Sequence, residues 1–213
     1  MNKIDKNKQR KRESLLEAAF RLFTSKGTQK TSISDIVANA GVAKGTFYLY
    51  FKDKYDIRNK LIAHKSSEVF RKADLALEQT NICMFEERVI FIIDNIINQF
   101  VADKTLLAFI SKNLSWGVFK NILIEAGEDD GVDFYDIYHS VFGGAGKFDN
   151  PEVMVFMMIE LVGSVCYSAI LYGEPVGIEE LKPYLFRAVR DIMAAHRTVE
   201  STIPGNAQTG DSL

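Results

Sequence analysis

The segment AKGTFYLYFKDK, residues 43–54, concentrates side chains that can bind a phosphate or the edge of a base. Lys44 supplies an ammonium that can reach guanine N7 and O6 or a phosphate oxygen. Thr46 and Tyr48 supply hydroxyls suited to phosphate oxygens. Gly45 has no side chain, so the backbone beside it can approach a surface closely. These residue types at this spacing predict a short segment that contacts duplex DNA.

Further candidate contacts lie on both sides of this segment. Lys52 and Lys54 would continue the basic edge, and Lys54 lies near the start of the next predicted helix. Thr31 and Ser32 open the preceding helix, whose first N–H groups and dipole favour a phosphate.

Two helices must position these residues. Apolar residues recur with helical spacing between Gln9 and Lys26, and Gly27 is the expected stop. The polar residues 1–8 are predicted to be disordered. In the second helix, TSISDIVANAG, Ser32 is a good N-cap with Asp35 at the N3 position, which is close to a capping box.

The second and third elements are joined by a tight turn at Gly41, where glycine supplies a positive φ at little cost. A third segment from Ala43 to about Tyr50 would then bury Val42 and Phe47 and present its other side chains outward. This arrangement is a helix-turn-helix, whose second helix enters the DNA major groove. A loop with buried aromatics would fit the same residues, but the helices before it and the charge of the region favour DNA binding.

Charge is divided unevenly along the 213-residue chain, whose net charge is −2. Residues 1–60 hold 14 Lys or Arg and 6 Asp or Glu, a balance of +8, which leaves −10 for the remainder. A basic N-terminal quarter on an acidic body indicates that one end meets a polyanion. Within it, the run KNKQRKR (6–12) would add phosphate or minor-groove contacts, or would be a solvated tail.

The stretch TSISDIVANAGVAKGTFYLYFKDKYDI resembles the DNA-binding region of the TetR/AcrR family of bacterial transcription regulators. The resemblance covers residues 9–69, with the helix-turn-helix at 32–51. It implies an all-α protein of about nine helices, with an N-terminal three-helix DNA-binding domain and a C-terminal ligand-binding and dimerisation domain. In this family the position of Leu49 is variable, so we include Leu49 among the candidate DNA contacts while the base preference stays open.

The rest of the chain is also predicted to be helical. The helical segments lie at 54–79, 84–103, 105–127, 151–172 and 177–196, and Pro183 must lie in the first turn of the last helix or kink it. We assign 70–197 to the ligand-binding and dimerisation domain and 198–213 to a flexible tail. The helices 151–172 and 177–196 would form a four-helix interface in a homodimer. Burial of both within a monomer is the alternative.

A small-molecule site is expected among the aromatic residues in the middle of the chain, where a few polar groups are interspersed. Core packing without a ligand explains the same pattern. The predicted lining is Phe91, Asn95, Phe109, Trp116, Tyr135, Tyr138 and His139.

The predicted function is a cytoplasmic DNA-binding transcriptional repressor that binds a palindromic operator as a dimer and is released by a small, mostly hydrophobic effector. The alternatives are a transcriptional activator of the same fold and a helical nucleic-acid-binding module without effector control.

The chain is not expected to be an enzyme, because it lacks the motifs HExxH and GxSxG, and GGAGK (143–147) lacks the spacing of a phosphate loop. No cofactor or metal is predicted. Glu160 in the middle of the apolar segment 153–173 disfavours a membrane span.

Overall fold

The computed structural model describes residues 3–113 and 148–198 of the chain. The described residues form eight helices and contain no strand of a sheet, which confirms the all-α fold class. Phe148 and Arg197 make an isolated antiparallel bridge. In chain order the helices are α1 Lys3–Lys26, α2 Ile33–Ala40, α3 Lys44–Tyr48, α4 Lys54–Glu78, α5 Phe85–Ala102, α6 Lys104–Asn113, α7 Pro151–Leu171 and α8 Ile178–Ala195.

The first three helices share one core with the start of α4. Leu15 and Leu16 of α1 are buried there with Ile36 of α2 and Phe47 of α3. Gly27, at a φ of 83°, follows the last residue of α1 and ends that helix as expected.

The beginning of α1 differs from the prediction. Residues 1–8 were expected to be disordered because they are polar, but α1 starts at Lys3. Three of the six residues from 3 to 8 are lysines, which are good helix formers, and the stretch continues the helix whose apolar face begins at Leu15. A helix that is anchored downstream can propagate without forming a new nucleus.

Helix α4 joins the N-terminal helices to the rest of the chain. Its N-cap Asp53 accepts hydrogen bonds from the backbone N–H groups of Tyr55 and Asp56 at 2.7 and 2.9 Å. One stripe of α4 is buried along its whole length: Ile57, Leu61, Ile62, Ser66, Val69, Ala73 and Leu77. The helix runs without interruption through the predicted domain boundary at residues 69–70, so the two proposed domains share it.

The C-terminal helices pack on α4 through α5 and α6, and ion pairs hold α8 against α5. Lys182 contacts Asp94 at 3.1 Å, and Arg190 contacts Glu87 at 3.1 Å. Burial alone would lower the pKa of Lys182, but hydrogen bonds to Glu179 and Asp94 outweigh it and raise that pKa.

The two prolines of these helices occupy different kinds of position. Pro151 is the first residue of α7, where its missing N–H has no cost. Pro183 lies inside α8 beyond its first turn, so of the two predicted outcomes the first-turn position is excluded and the kink stays a prediction. The part of the predicted segment 105–127 after Asn113, and the predicted tail from residue 199, lie outside the described residues.

Candidate nucleic-acid interface

The capping box at the start of α2 is formed as predicted. The Ser32 Oγ accepts a hydrogen bond from the Asp35 backbone N–H at 3.1 Å, and the Ser32 N–H donates to Asp35 Oδ2 at 2.9 Å. Lys26 Nζ contacts the same carboxylate oxygen at 3.0 Å. The backbone hydrogen bond from Ser32, followed by that from Lys26, lowers the pKa of Asp35 to about 2.

This cap changes what the start of α2 offers to a phosphate. The Asp35 carboxylate already accepts the Ser32 N–H and carries a negative charge at the helix N-terminus. A phosphate would therefore compete with an internal anion for the same donor. Ser32 itself is exposed, and its role as a DNA contact stays a prediction.

The turn after α2 has the predicted left-handed glycine. Gly41 adopts a φ of 68° and a ψ of 33°, and its N–H donates to the Ala38 carbonyl oxygen. The Val42 N–H donates to the Val37 carbonyl oxygen at 3.1 Å. These two bonds complete a Schellman-type end and redirect the chain sharply into α3.

Helix α3 is short and has one buried and one exposed side. Phe47 is fully buried, and its ring lies 5.5 Å from that of Phe51 between centroids. Lys44, Gly45 and Tyr48 are exposed on the other side. α3 covers residues 44–48, which is shorter than the predicted 43–50.

The remaining candidates near α3 are accessible to different degrees. Leu49 is 78% exposed, whereas Thr46 is partly buried. A Cβ added to Gly45 would meet no atom within 4 Å, so nothing inside the protein requires glycine there. The space in front of Gly45 is open to an external surface, as its predicted role needs.

Thr31 requires a correction. Its side chain is only 1% exposed, and its Oγ1 donates to the Gly27 carbonyl oxygen at 2.9 Å. The hydroxyl therefore ties the start of α2 to the end of α1 and cannot reach DNA. Its type and position were compatible with both roles, and only the tertiary contact separates them.

Lys54 requires a correction as well. Its Nζ donates to the carbonyl oxygens of Thr28 and Gln29, each at 3.2 Å, and the side chain is partly buried. The ammonium thus holds the α1–α2 connection instead of extending the basic edge. Lys52, two residues earlier, is exposed and stays a candidate.

The structure adds Tyr55 to the candidates. Its side chain is 43% exposed in the first turn of α4, with Lys54 Nζ and the guanidinium of Arg58 within 5.5 and 5.6 Å of the ring centroid. A tyrosine hydroxyl close to Lys52 in sequence was the available signal, but the sequence did not show that this ring stays outside the core.

The predicted effector residues are described only in part. Phe109 is buried against Phe20 of α1, with the ring planes at 88° and the centroids 5.3 Å apart. Asn95 accepts a hydrogen bond from Gln99 Nε2, which also donates to the Val69 carbonyl oxygen of α4. Phe91 on the same helix is partly buried. Trp116, Tyr135, Tyr138 and His139 lie outside the described residues.

Comparison with known proteins identifies the N-terminal region. The profile of the bacterial regulatory proteins of the tetR family matches residues 15–61. The HTH-type transcriptional regulator YvdT of Bacillus subtilis, which is uncharacterized, is 57% identical over 44 residues, or 21% of this chain and 23% of YvdT. The HTH-type transcriptional regulator AcrR of Shigella flexneri is 37% identical over 59 residues, or 28% of this chain and 27% of AcrR. These matches span about a quarter of each curated relative.

The whole fold also has solved counterparts. The transcriptional regulator FadR from Bacillus subtilis, solved in complex with stearoyl-CoA, superposes with a TM-score of 0.60 over 83% of this chain and 96% of FadR. The two sequences are 16% identical, so this likeness concerns the fold.

Proposed function

Because the chain belongs to the tetR family of bacterial regulatory proteins, we propose that it is a transcriptional repressor that binds a palindromic operator as a homodimer. Each protomer would place α3 in the major groove, and the two grooves of an operator would be about 34 Å apart, as is general for helix-turn-helix dimers. A small, mostly hydrophobic effector would release the DNA.

One observation carries the DNA-binding role: the buried Phe47 fixes α3 on the core while Lys44, Gly45 and Tyr48 face outward. The side that faces outward has an ammonium, a hydroxyl and open space in front of a glycine. The ammonium and the hydroxyl can donate hydrogen bonds to phosphate oxygens or to the acceptors of a guanine edge, and the open space allows the backbone to approach them closely.

The apolar surface of α7 supports the homodimer. Val153 and Met157 are 49% and 43% exposed, and Phe156 is exposed beside them. By length and composition α7 is the one helix among the described residues that could cross a membrane. Yet only 33% of its apolar 18-residue stretch is buried in the protomer. The same α7 surface packed against a second copy would be removed from water.

Contacts between α1, α4, α5 and α6 support control by an effector. The Phe20–Phe109 contact joins the DNA-binding helices directly to α6, and the Gln99–Val69 bond joins α5 to α4. A ligand that prefers another packing of α5 and α6 would move α4 and α1 with them and change the spacing of the two α3 helices. FadR shows that a protein of this fold can hold a ligand with a long acyl chain.

The test begins with selection of duplexes from a random-sequence library by the full chain. A two-fold symmetric consensus, bound with RNA in excess as competitor, is the expected result. No enrichment of any duplex, or equal competition by RNA, would contradict the proposal. A reporter gene placed behind the selected site then distinguishes a repressor from an activator by the sign of its response.

A further inference from the structure

Helix α1 extends well beyond the core that it helps to form. Leu15 is its first buried residue, and the helix begins at Lys3. The twelve residues before Leu15 span about 18 Å at 1.5 Å per residue. Residues 5–11 are exposed throughout, so packing against the rest of the described chain does not explain why this stretch is present.

The charge of this stretch is strongly positive. Residues 3–12, which we call the basic extension, contain six Lys or Arg and one Asp, a balance of +5. Lys6 and Arg10 lie one turn apart on one face, and Lys8 and Lys11 lie one turn apart on the opposite face. Like charges at these spacings destabilise an isolated helix, and a polyanion beside the helix would remove the repulsion.

The direction of α1 points the basic extension past the end of α2 from which the chain continues into α3. Arg21 Nη2 donates to Asn39 Oδ1 at 2.9 Å, and Lys26 Nζ donates to Asp35 Oδ2 at 3.0 Å. Since residue numbers rise along α1 while those of their partners fall along α2, the two helices are antiparallel. The N-terminal end of α1 therefore projects past the C-terminal end of α2, where the Gly41 turn leads into α3.

We propose that the basic extension lies as a helix along the DNA beside the major groove that α3 enters, and that its cations contact the phosphates. This inference rests on the proposed function for the identity of the duplex. Phosphate contacts carry no sequence information, so the basic extension raises affinity for every duplex and leaves the base preference to α3. A disordered tail, the alternative, would hold its charges without fixed positions.

The salt dependence of binding tests the contacts. The probe is a 40-bp duplex, about four helical turns, recovered by selection with the wild-type chain and titrated at several KCl concentrations. The variants are Lys6→Gln/Arg10→Gln and Lys8→Gln/Lys11→Gln. The matched control is Arg71→Gln/Lys72→Gln on exposed residues of α4, which removes the same two charges far from α3.

The slope of log Kobs against log [salt] falls by about 0.9 for each phosphate that the protein no longer neutralises. We expect at least one of the two pairs to reduce the slope by about 2 per protomer, and the control to leave it nearly unchanged. Slopes for both pairs equal to that of the control would overturn the proposal. If the wild-type chain itself binds no duplex, the proposed function fails and the comparison of slopes is not reached.

A proline distinguishes a helical contact from a flexible one. Gln9→Pro keeps every cation, but the ring clashes with the carbonyl of Asp5 and the N–H is removed, so the turn that carries Lys6 and Lys8 unwinds. A helical contact predicts a reduced slope for Gln9→Pro with the same selected consensus. A wild-type slope would show that the cations act from a flexible tail and would overturn the helical contact.

Discussion

Phe47 and Tyr48 are consecutive residues whose rings meet edge to face, with centroids 5.4 Å apart, yet Phe47 is fully buried and Tyr48 is 53% exposed. One short helix therefore carries a core anchor and an outward hydroxyl side by side. Substitution of the two residues should separate folding from DNA binding.

Tyr48→Ala is expected to weaken binding to the selected duplex by about tenfold per protomer, because one hydroxyl hydrogen bond to a charged phosphate oxygen contributes about 1.5 kcal/mol. Its unfolding free energy should change by less than about 0.5 kcal/mol, as is usual for an exposed position. Fluorescence anisotropy and urea unfolding measure the two quantities.

Phe47→Ala is the companion variant and should lower the unfolding free energy far more than Tyr48→Ala does. Truncation of a fully buried phenylalanine typically costs about 3–5 kcal/mol, so this variant should unfold at much lower urea. The assignment of α3 would be wrong if Tyr48→Ala bound the duplex like the wild type, or if it unfolded as readily as Phe47→Ala.

Lys52 and Lys54 differ by two positions and have different surroundings, which leads to a second prediction. Lys54→Met removes the donor to the Thr28 and Gln29 carbonyl oxygens and should lower the unfolding free energy by about 1–2 kcal/mol. Lys52→Met removes the same charge from an exposed side chain and should leave stability within about 0.5 kcal/mol. Equal stability of the two variants, measured by urea unfolding, would refute the internal role of Lys54.

The helix-turn-helix was predictable because its signals are local. The Ser32–Asp35 cap and the Gly41 turn each depend on residues within a few positions of one another, and the structure contains both. The long helices α4, α5 and α7 followed from their apolar spacing and from the first-turn Pro151.

The errors concern residues whose roles depend on distant partners. Lys54 contacts carbonyl oxygens 25 and 26 positions earlier in the chain, and the Thr31 hydroxyl bonds to the end of α1. A cation or a hydroxyl near a predicted interface is compatible with either environment, because its type does not show which way it points. The start of α1 at Lys3 was missed because a polar composition indicates solvent exposure but does not exclude a helix that continues from a packed segment.

The exposed apolar residues of α7 give a third prediction. Met157→Glu would place a charge in the proposed interface and should convert the homodimer to a monomer at micromolar concentration. Leu75→Glu, at a similarly exposed leucine of α4, is the control and should leave the dimer intact. Sedimentation velocity measures both, and a wild-type chain that sediments as a monomer would refute the proposed interface.

The Asp35 carboxylate gives a prediction for acid. Its pKa is lowered from 3.8 to about 2 by the Ser32 backbone N–H first and the Lys26 ammonium second. A carboxylate with a lowered pKa in the folded state contributes stability that is complete above its unfolded pKa and is lost as the pH falls through its folded pKa. The difference in unfolding free energy between the wild type and Asp35→Asn should therefore be constant above about pH 5 and shrink as the pH falls from about 4 towards 2.

Urea unfolding at a series of pH values, together with an NMR titration of the Asp35 carboxyl carbon, tests this expectation. Lys26→Met keeps the Ser32 bonds and removes the second cause, so it should raise the pKa of Asp35 only part of the way towards 3.8. A stability difference that stayed constant down to the acid limit of folding would show that the capping box does not hold this carboxylate ionised. A pKa of Asp35 unchanged by Lys26→Met would show that the ammonium, 3.0 Å away in the structure, does not pair with it in solution.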